Sequence, residues 1–254
     1  MEKLKILAFT AHADDLEVHA SGLVMQLVDA GHEVTSYVTT YGLRRQVIGR
    51  RRARDVRIEE STKAHALLNL EPSFDLAIYE QELNVDKETR AAFKDHILTR
   101  EPDVVITHWP IDVNPDHRAT ALLAMEPCYQ LGINTEILYF ESISSGRWST
   151  ESRPQTMCFI PTHYCPLTPK LVEKKRTLTM CHISQDPENM FNGQLQLEEN
   201  RGREAHCESA EAWIAGKRCG DMLEELRPFL QKSRWNLPRS IGANFSPETI
   251  GIMH

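Results

Sequence analysis

The chain has 254 residues, 41% hydrophobic and 26% charged, which suits one large α/β domain or two small ones in an ordinary globular protein. Its formal net charge of −7 argues against a protein that binds nucleic acid or anionic membranes by overall charge. No apolar stretch approaches the roughly 18 residues of a membrane span, and no secretory signal is evident, so a cytoplasmic protein is expected.

Apolar periodicity predicts strands and helices that alternate along the chain, which is typical of an α/β fold with parallel strand pairs. The predicted strands are Lys5–Thr10, Glu33–Thr40, Phe74–Tyr79, Asp103–Thr107, Glu136–Glu141 and Met157–Ile160. The predicted helices are Leu16–Ala30, Arg57–Leu70, Lys87–Leu98, Arg118–Tyr129, Pro169–His182, Glu204–Lys217 and Asp221–Leu230. Ser184–Asn200 is predicted as a loop, and the tail from Trp235 has little periodicity.

No internal repeat, low-complexity tract or linker divides the chain, so a single domain is expected. The six cysteines lie in the second half and form no C-x-x-C pair. We therefore expect reduced thiols and no cysteine-based zinc site.

Two similar clusters follow predicted strands. His12-x-Asp14-Asp15 follows the first strand, and Asp112-x-Asn114-x-Asp116-His117 follows the fourth. A parallel sheet can bring both strand ends into one crevice, where two histidines and a carboxylate bind a metal and leave positions for water. The alternative for Asp14 or Asp15 is a helix cap. His19, one helical turn beyond Asp15, is a further candidate to face the site.

Seven arginines lie between Arg44 and Arg57 in a chain that is acidic overall. One interpretation is a solvated loop and helix start. The other is a rim that recruits anions beside the site, because guanidinium groups match carboxylate and phosphate.

The two clusters resemble the motifs of the PIG-L family, also called LmbE-like deacetylases, whose usual forms are A-H-P-D-D and H-P-D-H. The corresponding segments here are A-H-A-D-D-L-E, from Ala11, and T-H-W-P-I-D-V-N-P-D-H, from Thr107. The resemblance extends to Arg57-x-x-Glu60, Ser184-Gln185 and Arg201-Gly202…Ala210-Glu211-Ala212, and so covers most of the chain in order.

The resemblance implies an α/β fold of the Rossmann-like, three-layer sandwich type, with a mostly parallel central sheet. It implies one domain over residues 1–254, in which residues from about 145 to 254 complete the pocket and provide any contacts of a homo-oligomer. The implied activity is metal-dependent removal of an N-acyl group from a small molecule, typically an N-acetylglucosamine-type amino sugar or glycoconjugate. The implied cofactor is Zn²⁺, with Fe²⁺ or another divalent metal as alternatives.

By motif position, the resemblance assigns the metal ligands to His12, Asp15 and His117. It makes Asp14 the general base that later protonates the leaving amine. It assigns substrate contacts to Arg57, at the substrate mouth, and to His108 and Asp112. Asp116 is expected to assist catalysis by orienting a ligand histidine, or to cap the helix that begins near Arg118.

One departure from the motif leaves the activity open. Asn114 replaces the first histidine of H-P-D-H, which is expected to assist the oxyanion or the leaving group. Asn can donate a hydrogen bond but cannot carry a positive charge. Asn114 then performs the function of that histidine more weakly, or another group such as His108 performs it. A third alternative is a protein that holds a metal or ligand without hydrolysis. An amidase that acts on a non-sugar amide is a further alternative. Nucleotide binding is disfavoured because the first turn lacks G-x-G-x-x-G.

Overall fold

A computed structural model describes residues 3–130, 135–144, 159–216 and 224–233. Eight of its strands form one sheet in the order β10-β8-β9-β7-β6-β1-β2-β5, and β3 and β4 form a separate hairpin. The strands are β1 (Lys5–Thr10), β2 (Glu33–Val38), β3 (Val47–Ile48), β4 (Arg51–Arg52), β5 (Pro72–Ser73), β6 (Val104–His108), β7 (Glu136–Phe140), β8 (His163–Leu167), β9 (Ser209–Ala215) and β10 (Gln231–Lys232). The five neighbours from β5 to β7 are parallel, whereas β9 runs antiparallel to both β7 and β8.

Six α-helices lie in the described residues, and a π-helical turn at Leu16–Ala20 leads into the first of them. The helices are α1 (Ser21–Asp29), α2 (Ala53–Ala66), α3 (Lys87–Arg100), α4 (Pro115–Gln130), α5 (Pro169–Thr179) and α6 (Pro187–Ala205). None of the helices in these residues is long and apolar enough to cross a membrane.

Residues of β1 alternate between the two faces of the sheet, as the pleat requires. Ile6 and Ala8 pack into a core that includes residues of α1 and α5, and Leu7 and Phe9 pack into a second core with residues of α3 and α4. Helices therefore cover both faces of a mostly parallel sheet, which confirms the predicted fold class. Because β1 is buried on both faces, its sequence is a continuous apolar run.

Two predictions in the last third of the chain are wrong. The predicted loop Ser184–Asn200 lies mostly in α6, whose inner face carries Phe191 together with the buried polar residues Gln194 and Glu198. Polar residues on a buried face break the apolar periodicity that predicts a helix. The predicted helix Glu204–Lys217 contains β9, whose small residues are buried on both faces and so lack a strand-like alternation.

Shorter errors have local causes. Phe74–Tyr79 is not a strand, because β5 ends at Ser73 and Ala77 has a φ of +50°. Strand β8 follows the predicted Met157–Ile160, where residues 159 and 160 are irregular and 157–158 lie outside the described residues. Within the predicted helix Asp221–Leu230, the described residues form a 3₁₀ turn at Glu224–Leu226, and residues 221–223 lie outside the described part, as does the tail from Trp235.

Candidate metal centre

The candidate site lies at the carboxyl edge of the parallel strands. Strands β1 and β6 are parallel neighbours, so the turn after β1 and the loop after β6 emerge side by side. The turn supplies His12, Asp14 and Asp15, and the first turn of α4 supplies His117. Two segments more than 100 residues apart in the chain are therefore brought together by strand pairing.

Side-chain atoms of three residues converge at this edge. His12 Nδ1 lies 3.1 Å from His117 Nε2. The two oxygens of Asp15 lie 3.3 Å from His12 Nδ1 and 3.4 Å from His117 Nε2. One ligand atom from each residue falls within 4.8 Å of the other two, a set suited to holding a metal ion. These are the three ligands that the sequence predicts.

A second carboxylate holds each histidine from behind. Asp116 Oδ2 lies 3.2 Å from His12 Nε2, and Asp112 Oδ2 lies 3.1 Å from His117 Nδ1. A histidine that donates its far nitrogen to a carboxylate turns the lone pair of the near nitrogen outwards. Both imidazoles therefore direct a lone pair toward Asp15. Two imidazole nitrogens and one carboxylate form a donor set that suits a divalent transition metal.

The charges around these atoms favour a cation. Burial opposes protonation of His12, but the carboxylates of Asp15 and Asp116 outweigh burial and raise its pKa well above the usual value. For His117 as well, the carboxylates of Asp15 and Asp112 outweigh burial, and its pKa is raised. Burial would raise the pKa of Asp15, but the neighbouring histidines, His117 foremost, hold it well below its usual range.

Asp14 has a different environment from Asp15. Its Oδ1 accepts a hydrogen bond from Arg57 Nη2 at 3.1 Å, and Arg57 Nη1 lies 3.6 Å from Glu80. Asp15 makes no helix-capping bond through its side chain, and its Oδ2 instead accepts from the His12 N–H at 2.6 Å. The adjacent carboxylates therefore separate, one toward the histidines and the other toward an arginine. Arg57 is only 5% exposed, so it lies behind Asp14 rather than at a solvent-facing mouth.

Comparison with known families agrees with this geometry. Residues 7–128 match the family model described as PIG-L, GlcNAc-PI de-N-acetylase. Residues 7–128 belong to the PIG-L family. The matched segment contains both motifs and all three converging residues, and the predicted family is thereby confirmed.

Solved structures share the fold across most of the chain. The N,N′-diacetylchitobiose deacetylase from Pyrococcus horikoshii has a TM-score of 0.69 at 20% identity, covering 85% of this chain and 84% of that one. GalB, the 4-carboxy-2-hydroxymuconate hydratase from Pseudomonas putida, has a TM-score of 0.68 at 20% identity, covering 87% and 100%. The zinc-inhibited form of teicoplanin deacetylase Orf2 has a TM-score of 0.65 at 15% identity, covering 84% and 99%. Similarities at these identities show a common fold.

The PIG-L H-P-D-H position held by Asn114 has a structural function here. Asn114 Oδ1 accepts the backbone N–H of Asp116 at 2.9 Å and so caps α4, which begins at Pro115. The predicted cap by Asp116 is therefore wrong, because the helix begins earlier and the Asp116 carboxylate is bonded to His12. Asn114 still lines the cavity beside the candidate metal centre.

Two predicted substrate contacts of the PIG-L site lie behind the histidines. His108 has no exposed surface, stacks on His117 at 4.0 Å between ring centroids, and accepts the Ala11 N–H at 2.9 Å. Burial lowers the pKa of His108 to about 4. Asp112 is 1% exposed and accepts bonds from Ser142 and Ser144 as well as facing His117. Neither residue lines the cavity, because both pack against the outer side of a converging histidine.

The cavity at the PIG-L site has a volume of about 290 Å³. Its lining residues are His12, Asp14, Asp15, Val18, His19, Asn114, His117, Ile143, Ser144 and Met190. The spacing from Asp15 predicts that His19 faces the site. Ser144 and Met190 gave no sequence signal, because they come from distant segments and Met190 lies in the helix predicted as a loop.

The arginine-rich segment beside the PIG-L site is largely neutralised by acidic neighbours. The ion pairs are Arg44 with Glu82 at 2.5 Å, Arg51 with Glu59 at 2.8 Å and Arg52 with Asp55 at 3.0 Å. These three pairs are exposed, so they favour the interpretation of a solvated hairpin and helix start over an anion-recruiting rim.

Proposed function

We propose that this protein is a zinc-dependent hydrolase that removes an N-acyl group, in the simplest case N-acetyl, from an amino sugar or glycoconjugate. The observation that carries the proposal is the convergence of His12, Asp15 and His117 beside a separate carboxylate, Asp14, in one cavity. The family description and the deacetylases of the same fold support a sugar N-acetyl group as the substrate.

In this proposal, His12, Asp15 and His117 hold the metal. When bound, a divalent metal polarises the acyl carbonyl and lowers the pKa of a water molecule. Asp14 takes the proton from the attacking water and later delivers it to the leaving amine. Arg57 keeps the Asp14 carboxylate in place through its 3.1 Å hydrogen bond.

The test measures acetate and amine release from N-acetylglucosamine, N,N′-diacetylchitobiose and a simple non-sugar acetamide. Asp14→Asn should retain the metal and lower turnover by about 10²–10⁴-fold, because the proton acceptor is lost. Asp29→Asn, an exposed aspartate on α1, is the matched control and should behave as the wild type. Wild-type turnover by Asp14→Asn would refute the assignment of the base.

The metal itself is tested by elemental analysis and by reconstitution with Zn²⁺ or Fe²⁺. One neighbour is described as a zinc-inhibited deacetylase, so an excess of zinc should be titrated separately from one equivalent. Activity restored by one equivalent of zinc supports zinc as the cofactor, and activity restored only by iron would replace it.

Asn114 favours a second candidate function, a metal-holding protein with altered or lost hydrolysis. Its amide oxygen is engaged in capping α4, and an amide cannot supply the positive charge of the motif histidine. If the wild type binds metal but releases no acetate, and Asn114→His gains turnover, this second function replaces the first. Turnover by the wild type rejects it.

A further inference from the structure

His19 lines the cavity but has no role in the proposed mechanism. It lies on the π-helical turn Leu16–Ala20, directly after Asp15, and such turns are frequent at functional sites. Its Nε2 is 3.8 Å from Asp15 Oδ1, which is beyond hydrogen-bonding distance. Among the described residues, the metal-ligand set contains His12, Asp15 and His117 without His19.

A chain of buried polar groups fixes which nitrogen of His19 carries the proton. His19 Nδ1 lies 2.9 Å from Gln194 Oε1, and the amide nitrogen of Gln194 donates to Glu198 Oε1 at 2.9 Å. Lys175 Nζ in turn donates to Glu198 and Glu211, each at 2.5 Å. Because the Gln194 amide nitrogen is turned toward a carboxylate, its oxygen must accept from His19 Nδ1–H.

This tautomer leaves an unprotonated Nε2 on His19, a side chain that lines the cavity. His19 Nε2 then adds an acceptor to the Asp14 carboxylate beside the candidate metal centre, in a cavity that Asn114 and Ser144 also line. A neutral acceptor pairs with a hydroxyl or N–H group and disfavours a carboxylate or phosphate at the same position. The site is therefore built for a substrate that brings a hydroxyl group close to the reacting amide.

We propose that His19 determines substrate specificity by accepting, through Nε2, a hydrogen bond from a hydroxyl group next to the acylamino group of the substrate. This inference rests on the proposed function and narrows its substrate to hydroxylated, uncharged acyl amides such as N-acetyl amino sugars. Gln194, Glu198 and Lys175 act as positioning residues, because they hold the imidazole in the accepting tautomer.

Two substitutions of His19 separate the accepting atom from the anchoring atom. His19→Asn keeps an amide near the Nδ1 position, where it can still bond Gln194, and deletes the acceptor at Nε2. His19→Gln places an amide oxygen near the Nε2 position. We expect His19→Asn to lower kcat/KM for N-acetylglucosamine about tenfold or more, chiefly through KM, and His19→Gln to recover most of that loss.

The matched probe is N-cyclohexylacetamide, which has the ring and the acetamide but no hydroxyl groups. His19→Asn should leave kcat/KM for this probe, and the zinc content, unchanged. Equal losses on both probes would mean a structural role and overturn the proposal. Loss of zinc in His19→Asn would make His19 a ligand and also overturn it.

A measurement without turnover judges the same inference separately from the proposed function. Nitrogen NMR of the zinc-loaded, ¹⁵N-histidine-labelled protein should show His19 protonated at Nδ1 and unprotonated at Nε2, with His19→Asn identifying the signals. Gln194→Leu should allow both tautomers. A protonated Nε2 in the wild type refutes the inference, whatever the activity. If that tautomer is found but no acyl amide is hydrolysed, the binding of N-acetylglucosamine to Asp14→Asn is compared with its binding to the double variant Asp14→Asn, His19→Asn. Tenfold weaker binding to the double variant supports the inference about His19, and equal binding refutes it.

Discussion

Two clusters with the same kinds of side chain begin in one turn of the chain and differ in what they can do. Each contains one carboxylate and two histidines, and their carboxylates, Asp15 and Glu17, are two residues apart in the same turn. The open cluster consists of His12, Asp15 and His117, and the sealed cluster consists of Glu17, His65 and His182. The open cluster lines the cavity, whereas side chains of the sealed cluster have no exposed surface.

Geometry separates the clusters further. In the sealed cluster, Glu17 stands between the histidines, with Oε1 2.8 Å from His65 Nδ1 and Oε2 3.6 Å from His182 Nε2. Burial would raise the pKa of Glu17, but His65 and His182 lower it to about 2. These contacts are ion pairs and not hydrogen bonds, since neither oxygen of Glu17 and neither nitrogen of His182 has a hydrogen-bond partner in the described residues. His65 is held by Ser36 and Ser61, and among the described residues the set that converges on one point is that of the open cluster. In the open cluster, outer carboxylates bind the far nitrogens, and the near nitrogens remain for a ligand. Composition alone therefore does not make a metal site.

The largest effect is expected from a substitution that removes a residue of the open cluster. His117→Ala removes one of three converging donors, so we expect loss of bound metal and a fall in turnover of more than about 100-fold, beyond the effect usual for an outer partner of a ligand. Elemental analysis and acetate release measure both. His182→Ala, from the sealed cluster, is the matched control and should keep its metal. Full metal occupancy in His117→Ala would contradict its assignment as a ligand.

A substitution in the sealed cluster should lower the stability of the fold and leave metal binding intact. Glu17→Ala leaves two buried histidines without their carboxylate, and breaking a buried pair in this way costs about 3–5 kcal/mol in the free energy of unfolding. Urea denaturation of the metal-free protein measures it. The folded fraction of Glu17→Ala should still bind one equivalent of metal. A change below about 1 kcal/mol would show that the sealed cluster is not a source of stability.

The sequence predicted one cluster and not the other for a physical reason. The open cluster follows two buried strands, β1 and β6, whose apolar runs are readable, and parallel pairing then brings their ends together. Nothing local pairs Glu17 with His65 on α2 or with His182 after α5, because these contacts depend on how the helices pack. The fold class was predictable for the same reason as the open cluster.

The C-terminal elements show the limit of periodicity. Helix α6 buries Gln194 and Glu198 on its inner face, and β9 buries small residues on both faces. Gly202 allows this close packing, since a Cβ there would lie 2.6 Å from the Glu208 carbonyl oxygen. The polar chain from Lys175 to His19 depends on these elements, so it could not be predicted before they were correctly placed.

A smaller effect sharpens the description of the open cluster. Asp112→Asn and Asp116→Asn each weaken the support of one histidine while leaving the three converging residues intact. We expect metal affinity to fall about 10–100-fold in each variant, as is usual for carboxylates that orient a ligand histidine. Competition with a chelator measures the affinity, with Asp29→Asn as the control. Unchanged affinity in both variants would mean that the outer carboxylates do not hold the histidines for the metal.

The last prediction concerns Glu198, a buried polar group that, like the sealed cluster, should affect the stability of the fold and not the binding of metal. Burial raises the pKa of Glu198 to about 7, with Glu211 adding to the effect and Lys175 opposing it. Between pH 4.5 and 7 the folded protein then keeps a proton that the unfolded chain releases, so Glu198 lowers stability as the pH rises through this range. Well below pH 4.5, Glu198 is protonated in both the folded and the unfolded chain, so it should not make stability depend on pH there.

Glu198→Gln removes this dependence on pH. Between pH 4.5 and 7, the free energy of unfolding of the wild type should fall by about 2–3 kcal/mol relative to that of Glu198→Gln. Urea denaturation across this range measures the difference, and Glu199→Gln, an exposed neighbour on α6, should follow the wild type. Parallel curves for the wild type and Glu198→Gln would mean that Glu198 is ionised throughout. Lys175 would then balance it fully, and the cluster would contribute no dependence on pH in this range.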